Sequence, residues 1–368
     1  DWDKYYKQTV DVDIDASFFN FSPIGNSSTR FTGSYNGDGY FINGINMNLP
    51  ESNNIGLFGY IGGEDDSYTG STIIQNLGLT NVIITGLHNV GALVGNKQDG
   101  TLTVGNCYIS GSVTGNSYVG GLVGYLRNQS NVVNCYSTGS VTGSGNILGG
   151  LGGYLRNQSN VVNCYSTGSV NGNTNVGGLV GFLNASSMSN SFWDTQTSGQ
   201  SSSAAGTGKT TAEMKTATTF TNSGWDFEIE IANGTDNYWD MDNVNSAYNS
   251  GYPFLSWENG AAVSLNLPPL ATFSPEDNST GVERESNITI TFTEAIQNVD
   301  GTLITDTNVD LLITLKDTDV SGSDIAFDAT INDSSTVITV DPISNFNYNQ
   351  TVYVAIPAYN VEDADGVE

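Results

Sequence analysis

The residues that could bind a ligand recur at a fixed spacing. Tyr125, Tyr154 and Phe182 stand 29 and 28 residues apart, and Arg127 and Arg156 follow the two tyrosines by two positions. Residues two apart in an extended strand point to the same face, so each arginine shares a face with its aromatic neighbour. Such an outward ladder could stack against sugars, or it could be a structural ladder beneath a neighbouring loop. We treat these five residues as a candidate ligand-binding ladder.

Acidic turns are the candidate metal sites. Ca²⁺ takes six to eight oxygen ligands from carboxylates and carbonyls, and Asp363 and Asp365 flank one residue in a turn near the end of the sequence. That turn lies where tandem domains would meet, so calcium is the cofactor we expect there, and solvated surface charge is the alternative. Weaker candidates of the same kind are Asp11, Asp13, Asp15 and Asp38.

Catalytic constellations are scarce. The single histidine, His88, cannot form a paired zinc site, and the three cysteines Cys107, Cys135 and Cys164 show no CxxC spacing. Residues 101–190 contain no Asp or Glu, so no carboxylate pair for acid–base hydrolysis of sugars can arise there. We therefore expect no enzyme activity.

Charge separates the chain into regions. The 368 residues carry 38 acidic and 10 basic side chains, a net charge of −28, which argues against a nucleic-acid partner. Residues 268–368 hold 18 acids and two bases, whereas residues 101–190 hold only two arginines. No apolar run approaches the ~18 residues of a membrane span. A composition shift of this size predicts a domain boundary.

The middle of the chain is a repeat. Residues 126–141 and 155–170 both read LRNQSNVVNCYSTGSV, and a VGGLVG-like signature begins at Val90, Val119, Leu148 and Val176. The segments are short, β-branched and interrupted by glycine, which predicts strands and turns rather than helices. One copy cannot bury its apolar face alone, but stacked copies can. The sequence therefore predicts a parallel β-solenoid (β-helix) with rungs about 4.8 Å apart.

Alternation predicts which residues form columns along the stack. One internal column contains the leucines of the repeat signature, and another contains the cysteines, which we interpret as small buried apolar residues. The asparagines before the cysteines are expected to form an amide ladder. The members are Leu93, Leu122, Leu151 and Leu179; Cys107, Cys135 and Cys164; and Asn106, Asn134, Asn163 and Asn190.

The signature resembles the GLUG repeat, whose core stands here as Gly-Leu-Phe-Gly at 56–59 and Gly-Leu-Val-Gly at 121–124 and 178–181. The resemblance extends over roughly residues 10–257. It implies a region of a large secreted or surface bacterial protein, of the kind found in adhesin-like proteins and in the non-catalytic part of immunoglobulin A peptidases. The architecture carries over, and an activity does not.

Alternating strands return after a Pro-Pro linker at 268–269. Strand patterns at 287–293, 310–315, 325–331, 336–340 and 351–356, separated by acidic turns, predict a β-sandwich. The segment resembles the bacterial Ig-like domains that occur in tandem on surface proteins. The predicted divisions are 1–50 as N-terminal cap and first rung, 51–194 as solenoid, 195–262 as C-terminal cap, 263–270 as linker and 271–368 as a truncated sandwich.

The functional expectation is a non-catalytic structural or adhesive module of an extracellular or cell-surface bacterial protein, able to assemble into a fibre or stalk. Expected partners are other copies of the chain, other cell-surface proteins or glycans. Two alternatives stay open: a carbohydrate-binding or carbohydrate-active β-helix, and an accessory region of a peptidase.

Overall fold

The computed structural model describes residues 2–14, 21–63, 68–228, 232–242, 248–258, 269, 271–277, 279–357 and 361–362. The chain divides into two compact units, Asp1–Leu265 and Asn266–Glu368. It is nearly all β, with 6% helix. The first unit is a β-solenoid of about six turns and the second is a β-rich Ig-like domain, which confirms the predicted fold class.

Short strands make up the first unit because glycine, asparagine and serine interrupt every apolar stretch. In chain order they are β1 (Tyr5–Lys7), β2 (Val12–Asp13), β3 (Ser34–Asn43), β4 (Asn46–Asn48), β5 (Phe58–Ile61), β6 (Ser71–Thr85), β7 (His88–Gly91), β8 (Val94–Lys97), β9 (Thr101–Gly115), β10 (Ser117–Gly120), β11 (Val123–Arg127), β12 (Ser130–Val133), β13 (Tyr136–Ser137), β14 (Ser140–Gly143), β15 (Asn146–Gly149), β16 (Gly152–Arg156), β17 (Asn160–Val162), β18 (Tyr165–Ser166), β19 (Val170–Asn171), β20 (Thr174–Gly177), β21 (Val180–Asn184), β22 (Ser187–Ser189), β23 (Phe192–Asp194), β24 (Thr207–Lys209), β25 (Trp239–Asp240) and β26 (Phe254–Leu255).

One turn of the solenoid has three sides. Strands β9, β10 and β11 form one turn, and the next turn repeats them as β12–β14, β15 and β16. Each side stacks on its equivalents in parallel register. One five-stranded sheet runs β21–β16–β11–β8–β5, a four-stranded sheet runs β20–β15–β10–β7, and the third side belongs to a 15-stranded sheet built around β3, β6 and β9.

The interior is one apolar core that runs the length of the solenoid. The leucine column is present as predicted, with Leu93, Leu122, Leu151 and Leu179 all buried. The cysteines form a second buried column, and each thiol donates to a backbone carbonyl, as Cys135 Sγ does to Val133 at 3.2 Å. Burial raises the pKa of the Cys107 and Cys135 thiols. They are therefore neutral packing groups rather than nucleophiles.

The asparagine corner explains why the repeat keeps that residue. Asn76, Asn106, Asn134, Asn163 and Asn190 all have φ between 47° and 53°, a left-handed conformation that asparagine tolerates better than most residues. Amide hydrogen bonds link Asn106 to Asn76 at 3.0 Å and Asn134 to Asn106 at 3.3 Å. The predicted ladder does not continue to Asn163, because Asn134 Oδ1 accepts no hydrogen bond among the described residues.

The first glycine of each Gly-Leu-Val-Gly signature sits at a crowded corner. A Cβ on Gly121 would lie 2.2 Å from both the Gly150 carbonyl oxygen and Ser137 Oγ. A Cβ on Gly178 would lie 2.0 Å from the Trp193 ring. The glycine is therefore required by close contact between successive turns.

Residues after β23 close the solenoid and then turn along its side. The segment 198–204 pairs with the last turn, as in the bonds from the Val170 amide to Ser198 and from the Gly178 amide to Ser202, both 3.0 Å. Helix α1 (Thr211–Met214) begins at a capping box formed by Thr210 and Glu213, and α2 (Ala217–Thr221) follows. The 3₁₀ helices of this unit are Asn249–Gly251 and Ser256–Glu258.

The sequence predicts that residues 195–262 cap the end of the solenoid. The described residues between 211 and 258, which we call the side segment, also contact earlier turns. Trp225 lies against Phe192 near the end of the solenoid, whereas Trp257 lies against Tyr108, three turns earlier, and beside Gly39 of β3. The side segment therefore runs back across several turns.

The second unit has strands β27 (Ala271–Ser274), β28 (Ile288–Phe292), β29 (Gln297–Asn298), β30 (Thr314–Asp317), β31 (Phe327–Ile331), β32 (Val337–Pro342), β33 (Val352–Ala355) and β34 (Val361–Glu362). The pairings between these described strands are antiparallel: a sheet β27–β28–β32–β31 and the pairs β29–β34 and β30–β33. The predicted strand at 310–315 is wrong in its first half, because Val309–Leu312 is a 3₁₀ helix. Its Val309 and Leu312 are both buried in the core of this unit.

Candidate ligand-binding face

The five-stranded sheet places the predicted ladder residues in line. Tyr125 of β11 pairs with Tyr154 of β16, which pairs with Phe182 of β21. Arg127 pairs with Arg156 in the same two strands. These five residues therefore lie on one face of neighbouring strands. We call them the open ladder.

The rings of the open ladder meet edge to face. The centroids of Tyr125 and Tyr154 are 5.3 Å apart with an interplanar angle of 86°, and those of Tyr154 and Phe182 are 5.2 Å apart at 82°. Tyr118, from β10, stacks on Tyr154 at 5.7 Å and 23°. Phe182 at the end of the row is 36% exposed, and the two tyrosines are partly exposed. The face therefore presents aromatic surface to solvent.

The row continues toward the N-terminus with one interruption. Asn96 of β8 stands between Tyr125 and Tyr60 in the same register. The guanidinium of Arg30 lies 4.5 Å from the centre of the Tyr60 ring, a cation–π contact, and 3.7 Å from Asp99. This end of the row is thus neutralised by an acid.

The two arginines of the open ladder are bound only by neutral groups. Arg127 Nη1 donates to Gln98 Oε1 at 3.1 Å, and Arg156 Nη1 approaches the Tyr125 hydroxyl at 3.5 Å. Within the described ranges, neither forms an ion pair with a carboxylate, and neither Nε has a hydrogen-bond partner. Two cations therefore lie on adjacent strands without an ion-pair partner among the described residues.

Amide side chains follow each arginine at the next bend. All four of these residues have left-handed backbone conformations, with φ between 49° and 63°: Asn128, Gln129, Asn157 and Gln158. Asn157 donates to Asn128 at 3.2 Å, while Gln129 and Gln158 are exposed. The face therefore combines rings, guanidinium groups and free amide edges.

Beneath this face lies a buried lysine that the sequence reasoning did not single out. Lys97 stands in register between Ile61 and Leu126 in an otherwise apolar column. Its ammonium donates to the carbonyls of Gly100 at 2.6 Å, Arg127 at 2.7 Å and Asn128. Burial lowers the pKa of Lys97 to about 8. The lysine thus fixes the backbone bend that carries Arg127.

A second aromatic column was also missed. Tyr108, Tyr136, Tyr165 and Phe192 are in register, and the first three stack nearly parallel, with centroids 5.1 and 4.9 Å apart and angles of 8° and 6°. The sequence signal for this column is the tyrosine that follows each Asn-Cys pair of the repeat, at 108, 136 and 165. We call this set the covered ladder, because the side segment lies on it.

The covered ladder is held by polar as well as aromatic contacts. Trp239 lies 6.2 Å from Tyr136 and 6.0 Å from Tyr165. The Tyr136 hydroxyl donates to the carboxyl group of Glu258 at 2.9 and 3.0 Å, and the Tyr165 hydroxyl donates to the carbonyl of Pro253. Burial raises the pKa of Glu258 to about 8. No ligand could reach these tyrosines without displacing the side segment.

The metal candidates and the histidine of the sequence analysis lie elsewhere in the chain. Asp363 and Asp365 lie outside the described residues, as does Asp15. Across the described parts of the chain, no three His, Cys, Asp or Glu side chains come together as a metal site. His88 is the first residue of β7. No described helix is both long and apolar enough to span a bilayer.

Comparison with known proteins finds one matching family model in each unit. A family model for the GLUG motif matches residues 115–142, and one for a bacterial Ig-like domain matches residues 266–368. The chain contains a GLUG motif and a bacterial Ig-like domain. Both are non-catalytic types of domain. The open ladder lies partly within the matched GLUG motif, which includes Tyr125 and Arg127.

The relatives are much longer proteins. Halomucin from Haloquadratum walsbyi is 36% identical over 129 residues, covering 32% of this chain and 1% of halomucin. A protein named as a Gly-rich membrane protein from Evansella cellulosilytica is 32% identical over 163 residues, covering 34% of this chain and 18% of that protein. The chain thus spans a small fraction of either relative.

A solved structure also resembles this chain. The crystal structure of a protein assigned as an immunoglobulin A1 protease from Bacteroides ovatus has a TM-score of 0.45 at 15% identity, covering 69% of this chain and 86% of that one.

Proposed function

We propose that this chain is a non-catalytic structural module of a large extracellular or cell-surface protein, with the GLUG solenoid as a rigid element. The observation that carries the proposal is the continuous stacking of the turns over a shared core. Register-matched parallel ladders and one apolar interior run through about six turns. A structure that is continuous in both backbone pairing and packing resists bending and local opening.

The domain types and the relatives support a surface location. GLUG and Ig-like domains are surface-protein-like types, and the two relatives are named as halomucin and a Gly-rich membrane protein. The acidic Ig-like unit, with few basic residues, suits a soluble extracellular surface. The absence of carboxylates from residues 101–190 supports a role without hydrolytic chemistry in those turns.

Assembly and calcium belong to the same proposal. The module would contact other copies, neighbouring surface proteins or glycans, and would contribute to adhesion or to a fibre. Asp363 and Asp365 would bind Ca²⁺ through their carboxylate oxygens.

Surface labelling and electron microscopy test these statements separately. An antibody raised against the Ig-like unit should label intact cells of the source organism, and purified natural material should form filaments that EDTA disperses. Exclusive recovery of the protein inside cells would contradict the surface role. Dispersed particles both with and without EDTA would contradict the assembly role, and filaments that persist in EDTA would contradict the role of calcium.

A further inference from the structure

We propose that the open ladder binds an acidic polysaccharide, with Tyr125, Tyr154 and Phe182 against the sugar rings and Arg127 and Arg156 on the acid groups. This inference rests on the proposed function and specifies the glycan class that the module would contact. It is argued from the charge, the exposure and the amide groups of one face of the solenoid.

The charge of the face selects an anion. The chain has 38 acidic and 10 basic residues, yet residues 101–190 contain two arginines and no acid. Those two arginines are in register on neighbouring strands, whose backbones lie about 4.8 Å apart. Like charges directly opposite each other on adjacent strands are unfavourable. A bound carboxylate or sulfate would relieve the repulsion and would accept charge-assisted hydrogen bonds from both guanidinium groups.

The aromatic part of the face selects a ligand with apolar surface. The covered ladder shows that this protein can bury a row of rings when it needs them only for packing. The open ladder is left uncovered along the same turns, and Phe182 remains 36% exposed. Because neighbouring rings are nearly perpendicular, the row offers both ring faces and ring edges to a sugar.

The amide groups select hydroxyls. Gln129 and Gln158 are exposed and are joined to each other only by a long 3.4 Å contact. Each primary amide offers both donors and an acceptor. Two equivalent amides on successive turns therefore match a ligand that presents hydroxyl groups at regular intervals.

The sparse charge favours a polysaccharide over a nucleic acid. Duplex DNA carries one charge per about 1.7 Å, and binding it takes many cations. The open ladder supplies two, in a protein of net charge −28. A polysaccharide with one acid group per sugar or disaccharide has a charge density that two arginines can match. Its affinity would also increase because it contacts several turns at once.

Binding of the whole chain to polygalacturonate, dextran sulfate and neutral dextran would test the proposal by calorimetry. We expect saturable binding to at least one acidic polymer and none to neutral dextran. The double variant Arg127→Gln/Arg156→Gln should weaken binding by about tenfold or more, and Arg127→Lys/Arg156→Lys should recover part of it. Phe182→Ala should weaken binding at an exposed position where folding is little affected.

The matched control removes two cations elsewhere. Lys4 and Lys7 are exposed and already paired with Asp3 and Asp38, so Lys4→Gln/Lys7→Gln changes net charge equally and should alter affinity by less than about twofold. Equal losses in the control and in the arginine variant would overturn the proposal, as would the absence of saturable binding. Self-association abolished by the arginine variant, with no polysaccharide binding, would identify an acidic second copy as the occupant instead.

Discussion

Two aromatic rows lie along the same turns of the solenoid and differ in almost every other respect. The covered ladder stacks its rings nearly parallel, at 6° and 8°, whereas the open ladder sets them nearly perpendicular, at 82° and 86°. Tyr165 is fully buried and Phe182 is 36% exposed. The covered ladder meets the tryptophans of the side segment, and the open ladder meets solvent.

The difference teaches that the repeat alone does not decide which row is structural. Both rows arise from residues that recur every 27 to 29 positions, so backbone stacking supplies both. The non-repeating side segment selects one of them and adds hydrogen bonds from Tyr136 to Glu258 and from Tyr165 to Pro253. The unselected row keeps free surface for a ligand.

The largest expected effect is on the covered ladder. Tyr165→Ala removes a buried ring that contacts Tyr136, Phe220, Trp225, Trp239 and Tyr252. We expect the free energy of unfolding to fall by about 3–5 kcal/mol, as for other large-to-small core changes. All five tryptophans belong to the first unit, so their fluorescence during denaturation would report this loss. A loss below about 1 kcal/mol would mean that the side segment is not fixed by the ladder.

The next effect depends on pH and on Glu258. The folded state holds the carboxyl proton up to about pH 8, whereas an unfolded glutamate releases it near 4.3. Between these values the folded state binds more protons, so the free energy of unfolding falls as pH rises through this range, by roughly 2–4 kcal/mol. Glu258→Gln should abolish this slope, as measured by urea denaturation of the first unit from pH 4.5 to 8.5.

A carboxylate in the same segment provides the control for that measurement. Glu213 caps helix α1, and hydrogen bonds from the Thr210 backbone and side chain lower its pKa. Its contribution to stability is therefore lost as pH falls, opposite in sign to that of Glu258. Glu213→Gln should leave the alkaline decline intact. If both variants keep the decline, Glu258 is ionised in the folded state and the assignment is wrong.

The smallest effect on stability is expected on the open ladder. Phe182→Ala removes a ring that touches Tyr154 on one side only among the described residues and is already part-exposed. We expect a loss of about 1 kcal/mol or less, measured in the same denaturation experiment. A loss matching that of Tyr165→Ala would show that both rows serve packing alone.

Much of the fold could be predicted because the repeat period by itself determines which residues stack on one another. The spacing of Leu122 and Leu151 gives both the period and the core column, since equivalent residues must stack. The side segment has no such constraint. Nothing in the order of Trp225, Trp239 and Trp257 indicates that they return along the solenoid instead of covering its end.

The candidate site could be predicted in part for the same reason. Alternation placed Tyr125 and Arg127 on one face and the period aligned them with Tyr154 and Arg156. It could not show that Tyr136 and Tyr165 are covered, because that depends on contacts from a distant segment. In the Ig-like unit, the alternating pattern around Val309 and Leu312 also fits a short 3₁₀ helix, so periodicity alone misassigned it.

The geometry of one turn has a mechanical consequence. A turn uses 29 residues of chain yet lengthens the solenoid by only about 4.8 Å. If tension peeled one turn from the end, the released chain would extend by roughly 90 Å. A surface protein containing this module would hold a nearly fixed length under small loads and would yield abruptly, one turn at a time, under large ones. Because each released turn adds so much length, the module could extend under a sudden load while its remaining turns stay folded.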